Sequence, residues 1–471
     1  MAKELWQLGA VETAAKIAAG EISASHVTEA HLTRMASVNP ALNAVTNDLS
    51  VSARVAAIEA DQAQAAGDDL GLMHGVPMTI KENVDQAGCT TPNGIVALNE
   101  AVATSDSPVV ANVKDAGAVI LGRTNTPEFS FRWFTDNDLH GQTLNPGDKS
   151  LTPGGSSGGA AASLAAGVGC LAHGNDLGGS LRYPAYCCGL ATIRPSLGRV
   201  AAYNASAPEE RTPSQQQMSV QGPIGRSVAD VRLGLEVMAQ ADWRDPWQAP
   251  EAMLLDMPAT PIRVAVSADP IGVGVDPAVA EAVWQAASWL SSAGYEIVEV
   301  DPPEAARIAE DWRKLIFTEA DQLLISAVDN MASQNCRQVF ADYISCVDLL
   351  DMPGYMRTLA DRTRQRRLWA AFMQENPLLL MPVSGEKPMP QHDDLQGQTR
   401  LKTMLDAQAP MYIINHLGLP AAAVPTGLVD GVPMGVQIVG QSFREGLCLD
   451  AAQVIENHVG ILAEQLWARE D

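Results

Sequence analysis

Two short stretches of this chain set serines among glycines. They are TPGGSSGG at Thr152–Gly159 and GGSLR at Gly178–Arg182, and Ser156 and Ser180 stand 24 positions apart. A serine hydroxyl can attack a carbonyl, relay a proton or cap a helix, and glycine admits close approaches and turns closed to other residues. A phosphate loop requires G-x-x-x-x-G-K-[ST], and no lysine follows these glycines; the dinucleotide pattern G-x-G-x-x-G is also unmatched. A nucleophile elbow, G-x-S-x-G, is matched at Ser156 and again at Ser157. An elbow follows a hydrophobic strand, whereas NPGDKSLTP reads as loop, and His173, His392, His416 and His458 stand in no supporting motif. A Ser-His-Asp hydrolase is therefore an alternative without support from its flanks.

Taken as one stretch, GGSSGG leads into a small-residue helix, AAASLAAGVGCLA, and then into HGNDLGGSLRYPA. RPSLGRV follows at Arg194–Val200, with GVPMTIKENVD (Gly75–Asp85), GRTNTPEFS (Gly122–Ser130) and LNP (Leu144–Pro146) upstream. NHLGLPAAAVPTG (Asn415–Gly427) and GVPMGVQIVG (Gly431–Gly440) lie near the C-terminus. In these segments and their separations the chain resembles the amidase signature family over almost its whole length, more loosely between about Pro246 and Pro410. The resemblance implies a cofactor-independent amidase that takes a carboxylic amide and water to carboxylate and ammonia or amine, with no metal. It implies Ser180 as nucleophile, Ser156 as bridging serine after a cis peptide bond, and Lys81 as base.

The chemistry is consistent with those roles. A serine needs a base within hydrogen-bond reach, and lysine serves when burial or nearby positive charge disfavours its ammonium form. Lys81 ends a run in which Val76, Met78 and Ile80 alternate with Pro77, Thr79 and Lys81, so it projects opposite the three apolar residues. Alone it would read as a surface lysine at a strand end. The backbone amides of Leu177, Gly178, Gly179 and Ser180 are expected to form an oxyanion nest. Asp176 and Arg182 flank the nest and are expected to hold its shape, with Ser157 in support or capping the next helix. Candidates for the substrate pocket are Phe131, Trp133, Phe134, Trp312, Phe317 and Tyr412. Departures from the family pattern are Asn175 for a usual Thr or Ser, Thr192 for glycine, and Arg194 and Arg123 for lysine. None falls on the three triad positions.

Elements must place these groups. Asp106-Ser107-Pro108 starts a helix that Gly117 ends, and Ala118–Gly122 then reads as a buried strand. Ile262–Val266 reads as a strand, Asp276-Pro277 as a helix start with Val279, Val283, Ala286 and Leu290 on one face, and Tyr295–Val300 as a further strand. Such alternation predicts an α/β fold, one large domain with a mixed central sheet covered by helices on both faces. Within 1–471 the expected parts are a helical start (1–70), a catalytic core (71–245), a variable substrate-shaping segment (246–410) and a closing part (411–471). Pro246–Pro261, with four prolines, reads as a crossing loop.

The 471 residues carry a formal charge of −24, which disfavours nucleic acid and anionic lipid as partners and leaves a small-molecule amide. The one basic run, Arg362, Arg364, Arg366 and Arg367, reads as a solvated helix face. Seven cysteines without CxxC spacing suit a reducing compartment, so a cytoplasmic location is expected, with no signal segment or membrane span. A homodimer is admitted, with no sequence feature that decides it. A second function class is the amidase component of a tRNA-dependent amidotransferase, which would release ammonia from glutamine inside a larger complex.

Overall fold

Alternating small and branched residues build the centre of the molecule. In a computed structural model, which describes residues 3–249 and 260–468, eleven strands form one mixed sheet. They are β1 (Val45–Asp48), β2 (Pro77–Lys81), β3 (Val119–Thr124), β4 (Leu171–Asp176), β5 (Ala191–Arg194) and β6 (Val220–Gly225), followed by β7 (Arg263–Val266), β8 (Glu296–Glu299), β9 (Leu378–Pro382), β10 (Ala421–Val429) and β11 (Val432–Gly440). Their spatial order is β1-β3-β2-β4-β6-β5-β10-β11-β9-β7-β8. Pairing is parallel where β2 meets β3 and β4 and where β7 meets β8 and β9. The remaining pairs are antiparallel.

Successive strand residues leave to opposite faces. Leu379 and Met381 enter one apolar layer and Leu378 and Leu380 the other; Ala421 and Ala423 are separated in the same way from Ala422 and Val424. Helices Gly158–Ala165, Arg182–Cys188 and Ala409–Leu417 cover the first face. Helices Pro108–Asp115, Val228–Met238, Pro277–Ser292 and Glu445–Val459 cover the second. The expected single α/β domain, with helices on both faces of a mixed sheet, is what forms. No helix among the described residues is long and apolar enough to cross a membrane.

Several local expectations shift. The helix read over AAASLAAGVGCLA stops at Ala165, because Gly167 and Gly169 take φ of 88° and 78°, turning the chain into β4. The helical start also contains β1, a four-residue edge strand too short to leave a period of its own. Arg362 departs from the solvated face. It is buried and donates to the Gln217 side chain at 2.8 Å and to its carbonyl at 2.7 Å, whereas Arg364 stays on the surface with Glu304 and Asp361. Of the expected crossing loop Pro246–Pro261, residues 250–259 lie outside the described residues.

Candidate active site

β2 and β4 are parallel neighbours, so their C-terminal ends, Lys81 and Asp176, emerge on the same edge of the sheet. Carboxyl ends of parallel strands are where α/β folds gather reactive groups. The glycine-serine loop reaches this edge between β3 and β4, and the helix Gly158–Ala165 starts directly after it.

Lys81 is wholly buried, contrary to a surface strand-end lysine. Its Nζ lies 2.7 Å from Ser156 Oγ, 3.2 Å from Ser157 Oγ and 2.7 Å from Asn175 Oδ1. Burial pushes the ammonium well below the usual lysine range, against the opposing pull of Asp176 and Glu82. The peptide bond Gly155–Ser156 is cis. Ser157 sits at the start of the helix but makes no capping bond; its hydroxyl is turned toward Lys81 and the Asn175 carbonyl instead. Ser180 is 8% exposed and opens with Ser156 on the same cavity. No hydrogen bond joins the two hydroxyls among the described residues, and in unliganded enzymes such bonds are commonly long.

The second glycine cluster is clamped from three sides. Asp176 receives Arg182 Nε at 3.0 Å, Arg182 Nη2 at 3.1 Å, Asn415 Nδ2 at 2.8 Å and the Gly179 N–H at 2.7 Å. Burial alone would raise this carboxyl, and the Arg182 guanidinium holds it instead well below the usual carboxylate range. Asn415 and Gln437, neither singled out from the sequence, complete the shell by accepting from Arg182 at 2.6 and 2.8 Å. The Gly178 carbonyl accepts from Trp133 Nε1 at 2.9 Å, and a Cβ on Gly178 would come 2.9 Å from Trp312 Cζ2. The Gly178–Gly179 peptide is thus held at both ends, and the Gly179 amide belongs to Asp176. The four-amide nest expected from the sequence reduces to Leu177, Gly178 and Ser180.

Ser156, Ser180, Asn175 and Leu177 share a cavity of about 370 Å³ whose walls, among the described residues, come entirely from 83–221. The described part of segment 246–410, read as substrate-shaping, supplies none of the wall. The aromatic candidates are not pocket residues either. Trp312 stacks on Tyr412 at 4.4 Å, Phe317 on Tyr343 at 5.3 Å, and Phe131 packs on Phe340 at 4.8 Å. Phe134 is buried in the same apolar layer, and Trp133 and Trp312 lie behind the nest. Large aromatic area is spent on packing wherever a face is available. The cavity's own rings are Phe129 and Tyr203, the latter 38% exposed with Arg244 over it. Phe129 lies within a segment quoted above, and its φ of 57° was not readable from its type.

Among the described residues no histidine lines the cavity. His173 and His416 are each pushed down to about 3, mainly by burial, and bond Gln221 and Gln365. The Ser-His alternative therefore has no base there. Among the family departures, Arg123 donates to the Glu82 carbonyl at 2.9 Å and Thr192 to the Pro223 carbonyl at 2.7 Å, both structural. Arg194 donates to the Met218 carbonyl at 2.9 Å. Asn175 differs from these, because it touches Lys81 directly.

A family model described as Amidase matches residues 26–449. An indoleacetamide hydrolase from Bradyrhizobium diazoefficiens is 47% identical over 468 residues, 99% of this chain and 89% of that protein. The amidase component of a glutamyl-tRNA(Gln) amidotransferase from Synechococcus sp. is more distant, 31% identical over 95% of this chain and 96% of its own length. The solved structure of 6-aminohexanoate cyclic dimer hydrolase with substrate superposes with a TM-score of 0.82 at 25% identity, covering 98% of both chains.

Proposed function

The chain belongs to the Amidase family and is an amidase, a hydrolase of carboxylic amide C–N bonds; we propose that it works through a Ser180 acyl-enzyme with Ser156 and Lys81 as the proton path. The observation that carries this reading is the buried Lys81 Nζ 2.7 Å from Ser156 Oγ, on the cavity that Ser180 also faces. The neutral amine takes the Ser156 proton as Ser156 takes that of Ser180. The Ser180 oxygen bonds the carbonyl carbon, and the developing oxyanion meets the amides of Leu177, Gly178 and Ser180, already oriented by the clamp behind them. Collapse breaks the C–N bond as the proton returns through Ser156 to the leaving nitrogen. Water then repeats the path and releases the carboxylate.

For substrate we propose an arylacetamide of the indoleacetamide class. The reading is supported by the 47% identity to the indoleacetamide hydrolase and by a cavity of about 370 Å³, within the range of small-molecule sites. Phe129 and Tyr203 offer ring faces to the substrate's aromatic end. The amidotransferase alternative is less favoured at 31% identity. Seven free cysteines support a reducing, cytoplasmic setting.

The test is turnover of indole-3-acetamide to indole-3-acetate and ammonia by purified protein. Ser180→Ala and Lys81→Ala are expected to remove it with the fold retained, and His458→Ala to leave it unchanged. Turnover surviving in Ser180→Ala would end this reading.

A further inference from the structure

Asn175 is the one departure from the family pattern that touches the catalytic lysine, and its geometry gives it a task. Three oxygens surround Lys81 Nζ: Ser156 Oγ, Ser157 Oγ and Asn175 Oδ1. A neutral amine has two N–H donors and one lone pair. The amide oxygen of Asn175 can only accept, so it takes one N–H. Ser157 sends its own hydrogen to the Asn175 backbone carbonyl at 3.4 Å, so it takes the second. The lone pair is left facing Ser156, whose hydroxyl becomes the donor.

The amide itself is fixed. Asn175 Nδ2 donates to Asn83 Oδ1 at 2.9 Å, and Asn83 Nδ2 donates to Ser130 Oγ at 2.9 Å. Ser130 in turn donates to Asn93 Oδ1 at 2.6 Å. Each link uses its donor away from the lysine, which leaves the Asn175 oxygen, and not its NH₂, pointing at Nζ. All four of these residues line the substrate cavity. A hydroxyl in place of this amide could donate to the lone pair and compete with Ser156; a carbonyl oxygen cannot.

We infer that Asn175 is a positioning residue: its side-chain carbonyl occupies one N–H of the Lys81 amine and thereby turns the lone pair onto Ser156. The inference rests on the Lys81–Ser156–Ser180 reading above. Charged and titratable neighbours of Lys81 are Asp176, Glu82 and His173, of which Asp176 is engaged by Arg182 and His173 by Gln221.

Two variants test it through pH profiles of kcat and kcat/KM with indole-3-acetamide. Asn175→Leu removes the acceptor, and kcat is expected to fall about 100-fold at every pH, within the range that general-base positioning supplies, with KM within about three-fold. Asn175→Asp keeps an acceptor but adds a charge that holds the ammonium. Its acid limb is expected to move up by about 1–3 pH units, and its kcat to recover to within about three-fold of wild type above that limb. A role in packing alone gives no such recovery. Wild-type kcat in Asn175→Leu, or an unshifted or never-recovering profile in Asn175→Asp, overturns the inference; should Asn175→Leu not fold, the aspartate variant decides alone. Lys81→Ala is measured beside them. If it keeps turnover, the triad reading fails; if it is inactive while Asn175→Leu is not, only this inference fails.

Discussion

Asp176→Asn is the sharpest test of how the nest is held. The wild-type carboxylate accepts from both Arg182 nitrogens, Asn415 and the Gly179 amide, with Leu181 N–H at 3.3 Å as a fifth donor. Asparagine keeps the shape but loses the charge, and it sets an NH₂ against at least two of those donors. Arg182 is then left fully buried without a counter-ion. Breaking a buried ion pair from one side costs about 3–5 kcal/mol, against about 5–15 kcal/mol for a whole domain. Equilibrium urea unfolding followed by tryptophan fluorescence at pH 7 reads that loss, and kcat reads the displaced Gly178–Gly179 peptide. Asp176→Asn with Arg182→Met removes both charges and is expected to be less destabilised than the two singles added together. The acid side carries a signed check. A carboxyl held below its ordinary value contributes stability that is present above about pH 4 and is lost as pH falls through its folded value, so wild type and Asp176→Asn should converge in stability below about pH 4. A loss under about 1 kcal/mol at pH 7, or strict additivity in the double variant, would refute the clamp.

Three further outcomes are expected. Lys81 is depressed in the fold, so the unfolded chain binds more protons between its folded value and about 10.4, and stability rises with pH there; relative to Lys81→Met, wild type should gain up to about 1.4 kcal/mol per pH unit in urea titrations from pH 7 to 9. No gain would mean the amine is charged in the fold. Gly178→Ala drives a Cβ to 2.9 Å from Trp312 Cζ2 and should lower kcat about 100-fold by displacing an oxyanion donor, with Trp312→Ala in that background recovering part of the loss. Tyr203→Ala should raise KM for indole-3-acetamide about ten-fold with kcat within three-fold and an unchanged melting temperature, as a ring contact worth about 1 kcal/mol would; an unchanged KM would remove Tyr203 from the binding site.

Much of the chemistry was legible because it is written in contiguous segments. Lys81, Ser156 and Ser180 each sit in a motif whose neighbours identify it, and Asp176 and Arg182 flank the nucleophile closely enough to be paired on sight. What sequence could not show was which side of the chain an aromatic faces. Trp133 and Trp312 are near the reacting groups, as expected, but on the far side of Gly178, where they press on its backbone. Tyr203 sits in a loop of polar and small residues with no period to mark it. Asn415 was invisible as a site residue because its partner is 239 positions away and asparagine carries no motif of its own. Asn175 was visible only as a departure, since its meaning depends on where its amide oxygen points.

The two halves of the site therefore answer to different parts of the chain. The nest is locked by Asn415 from the helix Ala409–Leu417 and Gln437 from β11, both on the closing part of the sheet, so its geometry depends on the whole sheet being assembled. The cavity is walled, among the described residues, by 83–221 alone, with its outer rim on the exposed stretch around Tyr203–Arg211. A loop that borders only solvent and substrate can change without disturbing packed layers, whereas a substitution in the clamp is felt by every buried partner. Acyl transfer and substrate choice are thus separable in this fold: rim substitutions should exchange one amide for another at constant stability, and clamp substitutions should lower stability and turnover together for every amide.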